Sequence, residues 1–593
     1  MKTHLTLLHL LLCLTGLLGC CLYGRAQAGR YYMKGEQLFA QKDYYAAAQY
    51  YEAFLGTGKR SQPLALQKIR KNRSTLNPYQ AAAYHLAYCY LQLHDFVQAE
   101  KWYGNAASYP GNVYPELGYW YGITLRANGK YAAALDALNG FKNACQSTDS
   151  LCVEADRELA SLHFIQAQLA RADTNRVQLD RWACKDHRSD YAIRTRKGGR
   201  PVFTGVHAVG DGKNTAEFRN DLYTDAATSI DSVHLWTDVR LIDLPREKNG
   251  QNGLAAFSAD GKEMFFTRWT KQGTVSRSAI WSSDWADTGW TEPRLLPSPI
   301  NVEGYNSTQP FVTSDDHYLL FASDRPGGSG RYDLWYAELD CNGSALSVAN
   351  MGTTINTSGD EESPFYHASS HTLVFSSNGR VGMGGFDIYY AQGELDPASW
   401  DSVENPGIPI NSTKDDLYFI STDALNCWNS GWLSSDRDSG CCLALYALKK
   451  NVPPSVSDSS RVPVPVDTPV IKTAPPLTYA AVLDNFAFSK STLPSSVRSG
   501  LDALVDFMKA HPETRIRVSG YTDGIGSDAY NLRLAQARVD ACIDYLVQYG
   551  IDSKRLIGRA MGKCCPVAQE TVNGRDNPAA REKNRRVECQ LID

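Results

Sequence analysis

Hydrophobic and small residues recur at helical spacing in the first part of the chain. Three segments repeat the same apolar positions, at relative offsets of 0, 3, 12 and 16, starting from Gly35, Ala87 and Gly122. Small residues at such positions let antiparallel helices approach closely, and the larger residues fill the groove between helix pairs. The pattern predicts helical repeats over residues 30–172, with a fourth, weaker pair starting near Ser150. The predicted turns between paired helices are Asp43-Tyr44, Asp95-Phe96 and Lys130-Tyr131.

Between residues 185 and 450 the pattern changes to short alternating strands with a fixed period. Phenylalanine recurs every 54 residues at Phe257, Phe311, Phe365 and Phe419. An apolar residue before an aromatic one recurs every 54 residues at Ile280, Leu334 and Ile388, and an Ile-Asn pair every 55 residues at Asn301, Asn356 and Asn411. A period near 50 with short strands is typical of radially repeated sheets. About 265 residues divided by 54 gives close to five units, with atypical first and last units around Phe203 and Cys442.

The turns of this region resemble the PD40 (TolB-like, WD40-like) propeller repeat. Residues 257–262 read F-S-A-D-G-K, residues 323–328 read S-D-R-P-G-G and residues 385–389 read G-F-D-I-Y. The resemblance implies an all-β propeller of about five blades, and the helical segments likewise resemble the α-helical solenoid of tetratricopeptide repeats, which bind proteins. The charged residues that recur once per unit are expected to bond turn backbone groups and inter-blade pairs, because a catalytic residue need occur only once. These residues are Asp260, Asp324, Arg325, Asp333 and Asp387.

A stretch rich in Pro, Ser and Val, residues 451–477, separates the β region from the C-terminal part. Such a composition favours an extended conformation and acts as a semi-rigid spacer. Over residues 478–593 strands and helices alternate, which predicts an α/β sandwich. The predicted strands cover residues 480–488, 514–520, 555–561 and 586–591, and the predicted helices cover residues 495–510 and 529–549.

The junction between the second strand and the second helix carries the candidate binding residues. The chain reads G-Y-T-D-x-x-G over residues 520–526, N-x-x-L-A-x-x-R over residues 531–538 and N-R-R-V-E over residues 584–588. Together these motifs resemble the peptidoglycan-binding OmpA-like domain. The resemblance implies that Asp523 and Arg538 hold the diaminopimelate of the peptide stem, and that Thr522 and Asn531 shape the pocket.

The chemistry of this ligand fits the two charged side chains. Diaminopimelate offers an ammonium group to a carboxylate, and a carboxylate to a planar guanidinium that can form two parallel hydrogen bonds. The alternative is that Asp523 and Arg538 pair with each other. The sequence departs from the family at Tyr521, where His is frequent, and at Ala535, where Ser is frequent, but neither departure removes a charged contact. The neighbouring Arg585 and Arg586 are expected to be strand-end charges that support the loop.

The N-terminus carries an export signal. An apolar run from Leu5 to Leu18 follows Lys2 and is too short to span a bilayer. Residues 1–19 are predicted to be a signal peptide whose end resembles a bacterial lipobox, so that Cys20 is lipidated and anchors the chain to the periplasmic face of the outer membrane. The A-x-A pattern at residues 26–28 is an alternative cleavage site for ordinary signal peptidase.

Composition and charge exclude several other classes of function. Lys and Arg total 60 against 64 for Asp and Glu, a net charge of −4, which offers no footprint for nucleic acid. Residues 56–77 hold six basic residues and no acidic one, which predicts either a solvated loop or a docking contact for an acidic partner. Cys145 and Cys152 could close a short loop. We expect no cofactor, metal site or catalytic site, because C-x-x-C spacing and a G-x-S-x-G elbow are both missing, and His367 and His371 fall on a turn.

The order of helical repeats, propeller, linker and OmpA-like domain resembles periplasmic outer-membrane lipoproteins, in particular the PorE-like component associated with type IX secretion. The PorE-like protein has an additional small β-domain where this chain has only the linker. The sequence therefore predicts a non-enzymatic periplasmic scaffold that anchors an outer-membrane complex to peptidoglycan, with the repeats recruiting secretion-complex proteins. The alternative is a wall-associated enzyme whose propeller acts on glycan or peptide fragments, which would need an isolated acid/base or nucleophile constellation.

Overall fold

The computed structural model describes most of the chain. The predicted signal peptide with Cys20, most of the basic insertion (residues 58–76) and the linker (residues 451–477) lie outside the described residues. The described residues are 28–57, 77–111, 113–145, 150–171, 177–184, 187, 189–197, 200–209, 217–225, 235–236, 239–245, 250–272, 275–286, 289–340, 343–395, 398–438, 442–450, 480–563, 566–572 and 575–592.

The N-terminal region is helical. Its described helices are α1 (28–40), α2 (Tyr44–Thr57), α3 (Pro78–Gln92), α4 (Phe96–Ala107), α5 (Leu117–Ala127), α6 (Tyr131–Ala144) and α7 (Ser150–Ala170). Helices α2, α4 and α6 begin at the predicted turns, and the Asp95 carboxylate caps α4 by accepting the N–H of Gln98 at 3.0 Å. The fourth helix pair predicted from Ser150 is wrong, because the described chain continues from the single helix α7 into a strand. A disulfide between Cys145 and Cys152 joins α6 to α7.

The repeated small and large residues meet where helices of this region cross. A Cβ atom on Gly122 of α5 would lie 2.6 Å from Leu138 Cγ of α6, and one on Gly35 would lie 2.9 Å from the ring of Tyr51. Glycine is therefore required at both positions for the helices to approach this closely. The tetratricopeptide assignment itself stays a prediction.

The middle of the chain forms antiparallel sheets. Its described strands are β1 (Val177–Cys184), β2 (Ser189–Thr195), β3 (Pro201–Val209), β4 (Glu217–Asp225), β5 (Leu235–Trp236), β6 (Val239–Leu241), β7 (Gln251–Phe257), β8 (Glu263–Gln272), β9 (Val275–Ala286), β10 (Gly289–Trp290), β11 (Arg294–Leu295), β12 (Ser307–Val312), β13 (Tyr318–Ser323), β14 (Asp333–Leu339), β15 (Ala345–Asn350), β16 (Glu361–His367), β17 (Thr372–Ser377), β18 (Asp387–Leu395), β19 (Ala398–Trp400), β20 (Asp416–Ser421), β21 (Ser430–Ser435) and β22 (Ala444–Lys450).

These strands make five open sheets. The strand orders are β2-β3-β4-β6, β7-β8-β9-β10 with β11 also on β9, β12-β13-β14-β15, β16-β17-β18-β19 and β20-β21-β22-β1-β5. The fifth sheet therefore combines the end of the region with its beginning: β1 pairs antiparallel with β22, and Val177 lies opposite Lys450. The pairing of β1 with β5 is parallel.

The first strand of each sheet repeats one backbone irregularity. β2, β7, β12, β16 and β20 each contain a register shift against the second strand of their sheet. The residue at the shift has a positive φ between 54° and 57° in all five cases: Ala192, Leu254, Gln309, Ser363 and Tyr418. Contacts run from β2 to β7, β12, β16 and β20 in turn, and from β20 back to β2.

A buried asparagine explains the repeated Ile-Asn pairs. Asn356 Oδ1 accepts the N–H of Leu334 at 2.8 Å, and its Nδ2 donates to the Leu334 carbonyl at 3.1 Å. Asn301 bonds Ile280, and Asn411 bonds Ile388, in the same way. In each repeat the amide thus replaces a strand beside the third strand of the sheet. The two sequence periods found separately are the two partners of one interaction.

The recurrent Asp and Arg residues bond turn backbone, as expected. Asp333 accepts the N–H groups of Ser329 and Gly330 at 2.6 and 2.8 Å. Arg325 donates to the carbonyl of Pro299 at 2.7 Å. These contacts account for the recurrence of both residue types without a catalytic role.

The C-terminal unit is an α/β sandwich. Its described elements are β23 (Ala480–Leu483), α8 (Ser495–Ala510), β24 (Arg515–Tyr521), α9 (Asp528–Gln548), β25 (Leu556–Gly562), β26 (Thr571–Val572), β27 (Arg575–Asp576), α10 (Pro578–Asn584) and β28 (Val587–Ile592). The main sheet has the order β23-β28-β24-β25. The first strand ends five residues earlier than predicted, because Asn485 takes a positive φ of 72° and turns the chain.

Ion pairs and hydrogen bonds join the three regions. The buried Arg126 of α5 pairs with Glu158 of α7 at 2.9 Å and also donates to the carbonyl of Met383, between β17 and β18. Arg515 of β24 pairs with Glu394 of β18 at 2.7 Å. The β-sheet region is therefore in contact with both of its neighbours. Within the described residues, no helix combines the length and hydropathy needed to cross a membrane.

We expect the substitution Asn356→Ala to destabilise the sheet region. It removes both hydrogen bonds to Leu334, whose backbone is buried, which should cost about 2–4 kcal/mol. Thermal unfolding of the chain, followed by circular dichroism, should show a lower midpoint. Asn139→Ala, at an exposed position of α6, is the control and should change stability by less than about 0.5 kcal/mol. Equal midpoints for the two variants would contradict the role of this amide.

Candidate functional site

The candidate site lies where the central strand β24 of the C-terminal sheet ends. The loop after Tyr521 carries Thr522 and Asp523 and leads into α9 through Gly526, whose φ of +107° favours glycine. Ser527 then caps the helix by accepting the N–H of Tyr530. A Cβ atom on Gly520 would lie 2.6 Å from the carbonyl oxygen of Ala535, so helix and strand are packed closely here.

The structure brings the four predicted binding residues to this one corner. All four are buried, with exposed fractions of 2% for Thr522, 3% for Asp523, 1% for Asn531 and 0% for Arg538. Buried polar side chains require hydrogen-bond partners, so the partners of each residue decide what it could offer a ligand.

Arg538 is bonded to three backbone carbonyls. Its Nη1 donates to the carbonyl of Tyr521 at 2.7 Å, its Nε to that of Lys490 at 3.0 Å and its Nη2 to that of Ala487 at 3.3 Å. The guanidinium also lies 5.1 Å from the centre of the Phe486 ring. Burial, together with the positive charge of Arg585, lowers the pKa of Arg538 to about 10. Arg538 therefore ties the end of β24 to the segment that follows β23.

Asp523 forms its ion pair with Arg585. Its Oδ2 lies 3.0 Å from Arg585 Nη1, and its Oδ1 accepts the N–H of Ile525 at 3.3 Å. Arg585 also donates through Nε to the carbonyl of Phe486 at 2.8 Å. The alternative pairing of Asp523 with Arg538 is therefore replaced by a pairing with Arg585. Arg585 supports the loop as expected, but it does so through the candidate ligand residue itself.

Thr522 and Asn531 hold the loop from its two sides. The Thr522 N–H donates to the carbonyl of Gly562 at 2.7 Å, and Asn531 Nδ2 donates to the carbonyl of Ile525 at 3.1 Å. Asn531 Oδ1 accepts no hydrogen bond from any described residue. An acceptor that is buried and unsatisfied at this point is available to a hydrogen-bond donor on a ligand.

Sequence reasoning missed Glu570, which also bonds the loop. Both of its carboxylate oxygens accept the N–H of Gly524, at 3.0 and 2.9 Å, and one of them accepts Asn584 Nδ2 at 2.7 Å. Glu570 is 46 residues from Gly524 and belongs to none of the motifs. The two departures from the family are in place beside it: Ala535 is buried, and Tyr521 lies under Arg586, 3.8 Å from ring centre to guanidinium.

A cavity of about 400 Å³ lies where the first strands of the five sheets meet. Its lining includes Arg194, Phe311, Phe365, His367 and Ile420. His367 Nε2 contacts the backbone oxygen of Asp423 at 2.9 Å, and its Nδ1 contacts Ser370 Oγ at 2.7 Å. A carbonyl oxygen can only accept, so Nε2 carries the proton and the serine hydroxyl donates to Nδ1. A backbone carbonyl thus orients this imidazole, whereas a catalytic triad uses a carboxylate.

His367 and His371 do not converge on one point. His371 lies in a left-handed turn, with φ of 48°, and contacts Glu394 at 2.9 Å. Their different partners agree with the expectation that this pair is no zinc site.

Comparison with known proteins assigns the C-terminal part of the chain. Residues 485–585 match the model of the OmpA family, so this part is an OmpA domain. The chain is 38% identical over 109 residues to outer membrane porin F of Pseudomonas aeruginosa and 37% identical over 108 residues to outer membrane protein A of Bordetella avium. Each alignment covers 18% of this chain, and they cover 29% and 53% of the two relatives. The chain therefore spans less than two thirds of either relative.

A solved structure is similar over the same share of the chain. The peptidoglycan-associated lipoprotein from Burkholderia pseudomallei is 26% identical, with coverage of 18% of this chain and 88% of that chain and a TM-score of 0.17.

We expect Arg538→Met to destabilise the C-terminal domain. Three buried carbonyls lose their donor, which should cost about 2–4 kcal/mol. Arg533→Met, at an exposed position of the same helix, should have little effect. Thermal unfolding and limited proteolysis of both variants check this difference. If Arg538→Met unfolds like the wild type, the three hydrogen bonds are not structural.

Proposed function

We propose that the C-terminal OmpA domain binds peptidoglycan through the diaminopimelate of the stem peptide. The observation that carries the proposal is the meeting of a buried carboxylate, a buried guanidinium and an unsatisfied amide oxygen at one corner of the sheet. Charged groups are rarely buried without a structural or binding role. The family match covers Asp523, Arg538, Thr522 and Asn531, and in this family the matching Asp and Arg are the diaminopimelate-binding residues.

The hydrogen-bond capacity of the site suits a ligand with both charges. A guanidinium has five N–H donors, and Arg538 directs three of them at backbone carbonyls. One donor on each terminal nitrogen is left for a ligand carboxylate. The ligand ammonium would bond Asp523, with Asn531 Oδ1 as a second acceptor. The ammonium would share the Asp523 carboxylate with Arg585 or displace it.

Ligand binding requires the loop at residues 522–527 to move. Arg538 and Asp523 are covered, whereas the residues from Gly524 to Ser527 are exposed and form the outer side of the corner. The bond between Gly524 and Glu570 holds this outer side in place. The structure thus represents a closed form, and the apparent affinity depends on the fraction of molecules in which the loop is open.

For the middle region we propose a five-bladed propeller. Five sheets with the same bulge in the first strand, contacts that run from each first strand to the next, and the 54-residue period support this architecture. The return of β1 to the fifth sheet supports it further, since a circular array needs its ends joined.

For the whole chain we propose a non-enzymatic scaffold of the periplasm. A lipid on Cys20 would hold the outer membrane, the OmpA domain would hold the wall, and the tetratricopeptide-like helices and the propeller would recruit protein partners. The relatives support an outer-membrane setting, since their names are those of outer membrane proteins. Tethering at both ends would raise the local concentration of each partner. Membership of a type IX secretion complex remains part of this proposal, to be tested by crosslinking and purification from the outer-membrane fraction.

The enzyme hypothesis rests on the central cavity. The Ser370–His367 contact there is explained by the tight turn between β16 and β17, and the imidazole is oriented by a backbone oxygen. We therefore keep the scaffold as the proposed function. Release of soluble fragments from wall material by the purified chain would favour the enzyme instead.

We expect Asp523→Asn to weaken sedimentation with purified peptidoglycan at least about tenfold. The amide keeps the size of the side chain but loses the charge that attracts the ligand ammonium, and such a charged hydrogen bond contributes about 1.5–3 kcal/mol. Asp540→Asn, which changes an exposed carboxylate on α9, is the matched control and should bind like the wild type. Free meso-diaminopimelate should release the wild type from the wall. Equal sedimentation of the two variants, with the C-terminal domain folded in both, would disprove the assignment.

A further inference from the structure

A histidine of the helical region lies against two carboxylates of the β-sheet region. His94 occupies the turn between α3 and α4, Asp415 directly precedes β20, and Asp436 directly follows β21. His94 Nδ1 lies 3.4 Å from Asp415 Oδ2 and 3.5 Å from Asp436 Oδ2. We propose that these three side chains bind one Zn²⁺ ion, which fastens the helical region to the last sheet.

The distances between the donor atoms fit a metal ion better than direct hydrogen bonds. Hydrogen bonds between nitrogen and oxygen are about 2.7–3.2 Å long, shorter than both contacts of His94. Zinc lies about 2.0–2.2 Å from imidazole nitrogen and carboxylate oxygen, and in tetrahedral geometry two such ligands are about 3.4 Å apart. Both His94 contacts have this length, and all three donor atoms lie within 4.8 Å of one another.

Backbone hydrogen bonds orient both carboxylates. Asp415 Oδ1 accepts the N–H of Phe386 at 2.9 Å, and Asp436 Oδ1 accepts the N–H of Asp415 at 2.9 Å. Each carboxylate thus uses Oδ1 to fix its plane and directs Oδ2 towards His94. Anchoring of the second atom of a ligand group is a regular feature of metal sites.

The backbone of the turn fixes the third ligand. His94 has a positive φ of 58°, which few side chains other than Asn and Asp adopt readily, and this conformation directs the imidazole across to the sheet region. A divalent cation would balance two adjacent carboxylates that are otherwise close like charges.

One imidazole and two carboxylates form a ligand set that zinc accepts. Three protein ligands leave a fourth position, and the His94 side chain is 44% exposed, so that water can reach the ion from solvent. The cation Lys414 is directed elsewhere: its Nζ lies 3.4 Å from the backbone oxygen of Asp436 and 5.8 Å from the ring centre of Phe96.

The predicted consequence is mechanical coupling of two regions that are separate in the sequence. The ligands come from positions 94, 415 and 436, so the ion would close a link across more than three hundred residues. The site is also distant in the sequence from the OmpA domain, so its test is independent of peptidoglycan binding.

Titration of the chelator-treated full chain with Zn²⁺, by calorimetry or by competition with a coloured chelator, tests the proposal. The variants are His94→Asn, whose new side chain tolerates the positive φ, and Asp415→Asn, which keeps the acceptor for Phe386. Each should weaken one zinc site at least about tenfold. His163→Asn, at an exposed position of α7, is the control for adventitious surface binding and should leave that site unchanged.

A second readout separates binding from folding. Zn²⁺ should raise the thermal midpoint of the wild type and of His163→Asn, because it binds the folded state, and should raise it less in the two ligand variants. Substitution with Co²⁺ should give the intense visible absorption of a tetrahedral site in the wild type only. The proposal is wrong if the wild type and His94→Asn bind Zn²⁺ with the same stoichiometry and affinity, or if the wild type binds none. Should one variant fail to fold, the other gives the same comparison.

Discussion

The constraint on which this structure depends most is the need to give every buried backbone N–H and C=O group a partner where a strand or helix stops. In the sheet region a buried asparagine does this beside the third strand of three successive sheets. In the C-terminal domain arginine does it, since Arg538 alone serves three carbonyls. Such residues tolerate little change, because their removal leaves buried groups without water or partner. The repeat period and the candidate binding corner are therefore two results of the same requirement.

Much of the fold could be predicted because the signals are local. Helices α8 and α9 and strand β24 lie within one residue of their predicted bounds, since capping and alternation are properties of short segments. The helix turns after Asp43 and Asp95 follow for the same reason. The pairing of β1 with β22 joins residues about 270 positions apart, and no pattern in β1 itself indicates its partner. The positive φ of Ala192 or Tyr418 is set by sheet packing and has no glycine to mark it.

The candidate site shows the same division. Its members could be named, because the motifs that contain them are contiguous, but their partners could not. Asp523 contacts Arg585, which is 62 residues away, and Gly524 is held by Glu570, which belongs to no motif. A resemblance between sequences identifies residues, whereas only coordinates show that the site is closed. The closed corner means that the domain must exchange internal hydrogen bonds for ligand contacts, which favours reversible attachment over a permanent grip.

The closure of the fifth sheet has a consequence for how the chain would carry tension. β1 begins at Val177, directly opposite Lys450, where β22 ends. A pull on the chain before β1 and after β22 therefore acts at the same end of one antiparallel ladder, so its hydrogen bonds would open one after another, as in a zipper, instead of sharing the load. The contacts of Arg126 with Met383 lie upstream of that ladder and hold the helices against the sheets. In a molecule stretched from its N-terminus, force would reach these docking contacts first, and they would shield the weakest seam of the ring.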